Sequence, residues 1–465
     1  MAEPAKDESA RPATEKGSPV RPPDLIYALD ERPPLARLIL LGFEFAAVIA
    51  PYLIFAALIF RAARVPPQVA ASGVSLAMLG IALATVIQVR RWGPVGSGFV
   101  APPVISAIYF TPNIHAAASV LPVVCAMTAV AGVSETVFAW VLPHMRKVFP
   151  PVVAGLIVMA VGVDLGLIGI RAFLGAAAHE LSHSSAGAGH SAMSYSNLIG
   201  ASITLATMVA FGVWGKGLAR LLCTLIGLCV GLVVAAPFGL FSATSLATIA
   251  GTPLLAIPDP SFLSYRIEYG LIVPFVFASL ASGLRTIGVI TTCERINDVN
   301  WRRPNLDNVR SGVMADGIGC AIGGLIAAPG LSAAPSLVGM EKVTGATSRP
   351  IAYAIAGWFV VMACFPRFGA ALLALPLPIV GAALLFNAGS MFVGGVQIVT
   401  SRPITMRATF VIGLSFLLAV SRQVYPDFYV SLPTWTHQFT GSMLSIVVAC
   451  GVLLNLIFLI GERRV

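Results

Sequence analysis

The sequence predicts an all-α polytopic membrane protein, with fourteen transmembrane segments arranged as a seven-plus-seven inverted repeat. Three observations lead there. The 465 residues are 57% hydrophobic and 11% charged, with a mean hydropathy of +0.89, whereas a soluble domain carries about 25% charged residues. Fourteen apolar runs can be threaded so that Lys and Arg fall mostly on one side. Two Pro/Gly-broken stretches of the first half also recur in the second.

Residues 1–34 are rich in Pro, Glu and Lys and lack the apolar core and cleavage motif of a signal peptide. They are expected to form a mostly disordered cytosolic tail. Apolar runs then follow near 35–60, 66–89, 99–110, 116–143, 150–170, 196–214 and 218–240. The second half repeats the series near 271–294, 311–328, 333–341, 350–366, 370–398, 403–421 and 440–462. A spanning helix needs about 20 apolar residues, so the third and tenth runs are too short to cross as helices. With both termini cytosolic, six basic residues are external: Arg61, Arg64, Arg171, Arg266, Arg367 and Arg422. Two, Arg285 and Lys342, lie within or beside spans, and 29 − 6 − 2 leaves 21 on the cytosolic side. Omitting either short run would invert half the loops and spoil that bias. The net charge of +9 therefore reads as cytosolic excess and not as a nucleic-acid surface. The seven cysteines are scattered singly, without metal or redox spacing, and read as small core residues.

FPPVVAG (149–155) is echoed by LPLPIVG (375–381), a separation of 378 − 151 = 227, and the two short runs centre near Ser97 and Ser336, 336 − 97 = 239 apart. An odd number of spans per copy inverts the second copy. Inverted repeats with short, Gly/Pro-interrupted segments at matching places mark secondary transporters. Non-helical backbone is tolerated at membrane depth only where it is buried in protein or lines a cavity. GPVGSGFVAPP (93–103) and PGLSAAPSLVG (329–339) are therefore expected to hold extended pieces near the midplane, around Ser97–Phe99 and Pro335–Leu337, each ending at a half-helix. The free N–H groups there would attract anionic or carbonyl oxygens.

These stretches resemble the nucleobase-ascorbate transporter family (nucleobase–cation symporter-2, uracil/xanthine permease-like) over about residues 25–462. The resemblance is carried by YALDERPPLARLILLGFEF, GSGF, FPPVVAGLIVMAVGVDL, MADGIG, PSLVGMEKVTGATSR and LPLPIVGAALL. It implies a core domain (35–147 and 271–369) moving against a gate domain (148–240 and 370–465), with an external loop at 241–270. It also implies a homodimer, substrates such as uracil, xanthine, urate or ascorbate, and H⁺ or Na⁺ as coupling ion. Where the family reads GLQH in the first span, this chain has Gly42-Phe43-Glu44-Phe45. The eighth-span Glu is Arg285, in LRTIG, and the tenth-segment Glu/Gln-Asn-x-Gly is Ser336-Leu337-Val338-Gly339. A carboxylate that accepts N–H bonds is thus exchanged for a guanidinium that only donates.

Arg285 lies mid-span, where a charge is costly and marks either function or a structural ion pair. As a ligand group it would grip an anion or carbonyl with two prongs. Glu44, 285 − 44 = 241 residues earlier, would pair with Arg285 in an empty site or carry a coupling proton; otherwise it is hydrogen-bonded near the core's cytosolic end. Asp316 is expected to orient the tenth segment. Phe99 would stack on a planar ligand or pack in the core. Ser97, Gly98, Pro335, Ser336 and Leu337 would present backbone N–H and hydroxyl groups at the crossing, or only permit close packing. Glu135 and Asp164 are expected at interfaces or water-filled crevices, and Glu341 and Lys342 are expected to snorkel. His179-Glu180-Leu181-Ser182-His183 matches the HExxH zincin pattern, but it lies in a Gly/Ser/Ala-rich loop with His190 and is not expected to be a protease site.

The expected function is secondary active transport of a small planar solute: a nucleobase, a urate- or xanthine-like compound or another small organic anion. It would work by alternating access in the plasma (inner) membrane, with the lipid bilayer and a second copy as partners, no nucleic acid, no metal, no catalytic residue and no cofactor beyond H⁺ or Na⁺. Neutral nucleobase symport with Glu44 replacing the missing carboxylates, and anion exchange or a channel on the same fold, are the rival readings.

Overall fold

The computed structural model describes residues 21–145, 151–175, 195–238, 240–241, 247, 249–401, 403–433 and 436–462. The first twenty residues, Phe149 and Pro150 of FPPVVAG, the HExxH stretch and His190 lie outside the described residues.

The chain is mostly helical. The first half runs through α1 (Leu35–Ile49), a 3-10 turn at Ala50–Tyr52, α2 (Leu53–Ala62), α3 (Pro67–Val89), β1 (Pro103–Ile105), α4 (Phe110–Ser119), α5 (Leu121–Met145), α6 (Pro151–Phe173), α7 (Tyr195–Trp214) and α8 (Cys223–Ala235). The second runs through α9 (Ile272–Asn297), α10 (Leu306–Leu325), β2 (Leu331–Ala333), α11 (Pro335–Thr344), α12 (Arg349–Ala363), α13 (Pro366–Leu373), α14 (Leu377–Val399), α15 (Met406–Val424) and α16 (Met443–Glu462). Eight helical stretches among the described residues are long and apolar enough to cross a membrane, or nine if α12 and α13, bent by 78°, form one span. Apolar side chains also cover the outside: Val133, Val137 and Trp140 on α5 and Leu414, Leu417 and Leu418 on α15 are exposed. That suits a lipid solvent, and Tyr195 and Trp214 stand exposed at opposite ends of α7, as aromatics do at the two bilayer interfaces.

Two helix pairs pack through glycine. α5 meets α10 where Gly132 lies against the Ala321 backbone and Gly324 against Thr128 and Ala129. α6 meets α14 where Gly155 faces Gly395 and Gly162 faces the Phe392 backbone. Small residues let helix backbones approach closely where lipid supplies no hydrophobic drive between helices.

β1 and β2 cross as an antiparallel pair, Pro103 opposite Ala333, Val104 opposite Ser332 and Ile105 opposite Leu331. The middle pair gives 332 − 104 = 228, close to the 227 of the proline motifs and not the 239 of the short runs. A two-fold axis through Val104 and Ser332 would generate this ladder. The extended pieces therefore differ from expectation in both copies. In the first, the strand is Pro103–Ile105 and not Ser97–Phe99. In the second, Pro335–Leu337 is already the first turn of α11, with Pro335 at its start, where a proline's missing N–H costs nothing. The physical reason is a longer connection: residues 90–102 link α3 to β1, whereas residues 326–330 suffice between α10 and β2, eight fewer. Gly330 has φ +76° and a Cβ there would lie 2.3 Å from that of Tyr109, so the strand entry requires glycine twice over.

Residues 21–34, expected within a disordered tail, are instead tied to the end of α11. Ile26 and Tyr27 N–H donate to Gly345 O, Thr347 N–H donates to Tyr27 O and Arg349 N–H to Leu29 O. Ser348 Oγ donates to Glu31 O, and Arg349 pairs with Asp30.

Candidate functional site

A cavity of about 630 Å³ lies where the strand crossing, α9 and α11 face α14. Its wall holds Arg285, Gly288 and Thr292 from α9, Pro335, Ser336, Gly339 and Lys342 from α11, and Asn387, Ser390 and Gln397 from α14, with Tyr52 and Phe55 closing one side. Two cationic side chains line it and no acidic one does.

Arg285 is half-buried and bridges the ends of β1 and β2. Its Nε donates to Ala333 O at the end of β2 (2.8 Å), and its Nη1 donates to Ser106 Oγ (3.3 Å). Ser106 in turn caps the turn leading into α4 by accepting the Ile108 N–H. The guanidinium thus ties down the chain just before each half-helix and turns its remaining edge to the cavity. It has no ion-pair partner within 4 Å; among the described residues only Arg21–Glu31 and Arg349–Asp30 are such pairs.

Asp316 does not line the cavity. From α10 it accepts the Ala333 N–H (3.0 Å), the Thr286 hydroxyl (2.5 Å) and, at 3.5 Å, the Ser282 hydroxyl. Ala333 is therefore held at its N–H by Asp316 and at its carbonyl by Arg285, which fixes the register of β2. Behind β1, the Tyr109 hydroxyl donates to the buried Glu135 (3.0 Å), and Asn113 links the Tyr109 carbonyl to Thr128. Asp164, also buried, accepts from Gln423 (3.0 Å) in a separate 60 Å³ pocket shared with Arg171 and Arg422.

The expected site residues divide. Arg285, Pro335 and Ser336 line the cavity, Ser336 sharing a hydrogen bond with Tyr52 (3.3 Å). Leu337 is fully buried and points into the core. Ser97, Gly98 and Phe99 lie in the connection before β1 and not at the crossing. Arg91 donates twice to Ser97 O, Arg349 donates to Gly98 O (2.9 Å), and Phe99 packs with Val289, Ile290 and Cys293. The register error of the third segment displaced all three. Glu44 also does not line the cavity: it is half-buried on α1, eight residues before the cavity residue Tyr52, about 12 Å at 1.5 Å per helical residue. Its proposed equivalence with Arg285 used the 239-type spacing. If the halves repeat, the ends of α3 and α10 give 325 − 89 = 236 for this part, which would set Arg285 opposite the buried Ile49.

Lys342, Tyr52, Thr292, Asn387, Ser390 and Gln397 were not anticipated at the cavity. A signal was present for α14: Asn387, Ser390, Gly394 and Gln397 recur at helical spacing along an otherwise apolar span and form one small, polar stripe. Lys342 carried none, since a lysine near a helix end reads as snorkelling. Among the described residues no three His, Cys, Asp or Glu side chains gather in a way that could hold a metal ion.

Comparison with known proteins gives consistent results. The model of the Permease family (Xan_ur_permease) matches residues 37–428. The chain is 26% identical to the xanthine permease XanP of Escherichia coli over 457 residues, 94% of this chain and 95% of that protein. It is 25% identical to the xanthine permease XanQ of the same organism over 95% of each. Solved structures share the fold. The murine anion transporter Slc26a9 in the inward-facing state superposes with a TM-score of 0.63 at 12% identity, over 93% of this chain and 69% of that one. The transmembrane domain of the cyanobacterial bicarbonate transporter BicA gives 0.50 at 13% identity, over 90% and 97%.

Proposed function

The chain belongs to the Permease family and is an integral membrane transporter, not an enzyme, and from that premise we propose that it moves a small, planar, negatively charged solute of the xanthine or urate kind. The observation that carries this reading is the cavity wall, with Arg285 and Lys342 and no carboxylate. A guanidinium withdrawn from water needs compensation, and its protein partners are a carbonyl and a hydroxyl, both neutral. An anionic ligand would supply the missing charge through a two-pronged contact. Asn387, Gln397 and Ser336 would take the remaining donors and acceptors of a heterocycle. The names of the relatives, xanthine permeases, support the solute class.

The fourteen-segment, seven-plus-seven layout is part of the same proposal and is supported by the two-fold-like strand ladder. The first-half spans through α5 with α9–α13 would form the core domain, and α6–α8 with α14–α16 the gate. The cavity lies between the two sets, as alternating access requires. The polar ends of α9, α11 and α14, carrying Thr292, Lys342 and Gln397, would be its cytosolic mouth, with both termini on that side of the plasma (inner) membrane. A homodimer and H⁺ or Na⁺ coupling complete the reading. Glu44, Ser97, Gly98, Phe99 and Leu337 act in it through the scaffold and not by touching substrate.

The test is a thermal-shift screen of purified protein with urate, xanthine, small aromatic carboxylates, ascorbate and uracil. A ligand at 100 times its Kd should stabilise by about 2.7 kcal/mol. Stabilisation by the anions and not by uracil is expected. Stabilisation by uracil alone would replace this reading with neutral nucleobase transport. The response to bicarbonate or chloride alone would favour an inorganic-anion transporter, a reading the shared fold with Slc26a9 and BicA keeps specific.

A further inference from the structure

α11 is a half-helix with two faces. Val338, Gly339 and Lys342 border the cavity. The side chain between them, Glu341, turns the other way and is fully buried. Neither of its carboxyl oxygens has a hydrogen-bond partner. The elements packed against α11 are α9, α1 and the helical turn at Leu218–Leu221. They bring Arg285, Cys293, Glu294 and Arg295, then Arg37 and Glu44, then Arg220, and the tied segment 21–34 adds Arg21, Asp24, Tyr27, Asp30, Glu31 and Arg32. None of these groups makes a hydrogen bond to a Glu341 carboxyl oxygen. Glu294 is occupied by Asn305, Asn308 and Trp301, and Asp30 by Arg349. An ionised carboxylate without a countercharge or donor is not stable in such surroundings. Glu341 therefore carries its proton in this conformation. A leucine would fill the same space without that requirement, so the acid calls for a use.

We propose that Glu341 is a proton-binding site of the transport cycle, protonated while α11 is packed on α9 and exchanging its proton with cavity water when that packing opens. Its position suits this. Successive residues on a helix are about 100° apart, so Glu341 lies one step around α11 from the water-facing Lys342. A rotation of α11 by about one residue step, or its separation from α9, would bring the carboxyl to the cavity, where Lys342 would stabilise its ionised form. The proton would be delivered to, and taken from, the same compartment that the cavity opens to. This places the coupling group on α11 and not at Glu44, and it rests on the reading of the chain as an ion-coupled transporter.

The experiment has two arms. The first needs no substrate: infrared spectra of wild type and Glu341→Gln at neutral pH, in lipid. The wild type should show a protonated-carboxyl carbonyl band that Glu341→Gln lacks, while both unfold at the same temperature, since a neutral amide replaces a neutral acid. The second arm follows xanthine and urate in proteoliposomes. Glu341→Gln should keep the exchange of internal for external solute, lose the acceleration by a pH gradient, and have that acceleration restored in Glu341→Asp. No difference in the carbonyl region, or an undiminished gradient response in Glu341→Gln, would overturn the proposal. If wild type moves neither probe, the transport reading fails for those solutes and the infrared arm alone decides whether Glu341 holds a proton.

Discussion

The two half-helices that follow the strand crossing are each ten residues long and differ in chemistry. α4 follows β1 after a 3-10 turn at Ala107–Tyr109 that Ser106 caps, and sits on a network in which the Tyr109 hydroxyl donates to one Glu135 oxygen and Asn113 links the Tyr109 carbonyl to Thr128, the other Glu135 oxygen having no partner. Phe110 at its start packs against Phe55 in a tilted arrangement, with ring centroids 5.3 Å apart. α11 follows β2 and carries the exposed Lys342, the cavity-facing Ser336 and the unpartnered Glu341. Under the proposed transport reading, the first half-helix would serve as support and the second as working surface. Arg285 spans the two, with one bond to each. An inverted repeat would fix where ligand groups can stand; it would not require both halves to use them.

The comparison can be broken first where both copies depend on one residue. Gly330→Ala adds a methyl group against Tyr109 at a φ of +76°. Strain and overpacking together should cost about 3 kcal/mol or more, seen as a sharp loss of folded yield and thermal stability. Arg285→Ala comes next. Losing a charged hydrogen bond costs about 1.5–3 kcal/mol, so urate binding should weaken roughly 10- to 150-fold while uracil binding changes little. Arg285→Lys should recover part of this, because an ammonium lacks the planar fork. Equal binding of both probes with lower stability would reduce Arg285 to a structural tie.

A complementary result should come from the supporting copy. Tyr109→Phe removes the donor to Glu135 and leaves a buried acceptor unmet, at about 1–3 kcal/mol. Melting temperature should fall while urate affinity stays at the wild-type value; a loss of affinity without a loss of stability would put α4 in the binding surface. The smallest effect is expected at Lys342, which is exposed. Lys342→Met should cost about 0.2–1 kcal/mol of anion affinity, a few-fold in Kd, and the difference should fade in high salt as screening sets in.

Much of the working copy was legible in the sequence, and less of the supporting one. Arg285 was found because a guanidinium in an apolar run has few explanations, and PGLSAAPSLVG because prolines and glycines break a span visibly. The third segment misled because GSGF is as broken as PGLS. Only the pairing of Val104 with Ser332 reveals that the chain crosses later, at APPVI, and this also moved Ser97, Gly98, Phe99 and the supposed partner Glu44 away from the cavity. Lys342 and Glu341 are neighbours of identical sequence environment, and which of them faces water depends on how α11 is rolled against α9. Composition and spacing carry no information on that roll.

The tie between the N-terminal segment and the loop after α11 has a practical side. Four backbone hydrogen bonds hold residues 26–29 to Gly345, Thr347 and Arg349, and Arg349 also reaches Gly98 before β1. A shortened expression variant that starts at α1 would strip those bonds from the polypeptide leaving α11 and bare a row of main-chain N–H and C=O groups. Affinity tags and fluorescent fusions on that side are therefore best joined ahead of Arg21, with the segment up to Pro34 kept intact. A probe dye placed near Tyr27 would report on α11 without touching the cavity.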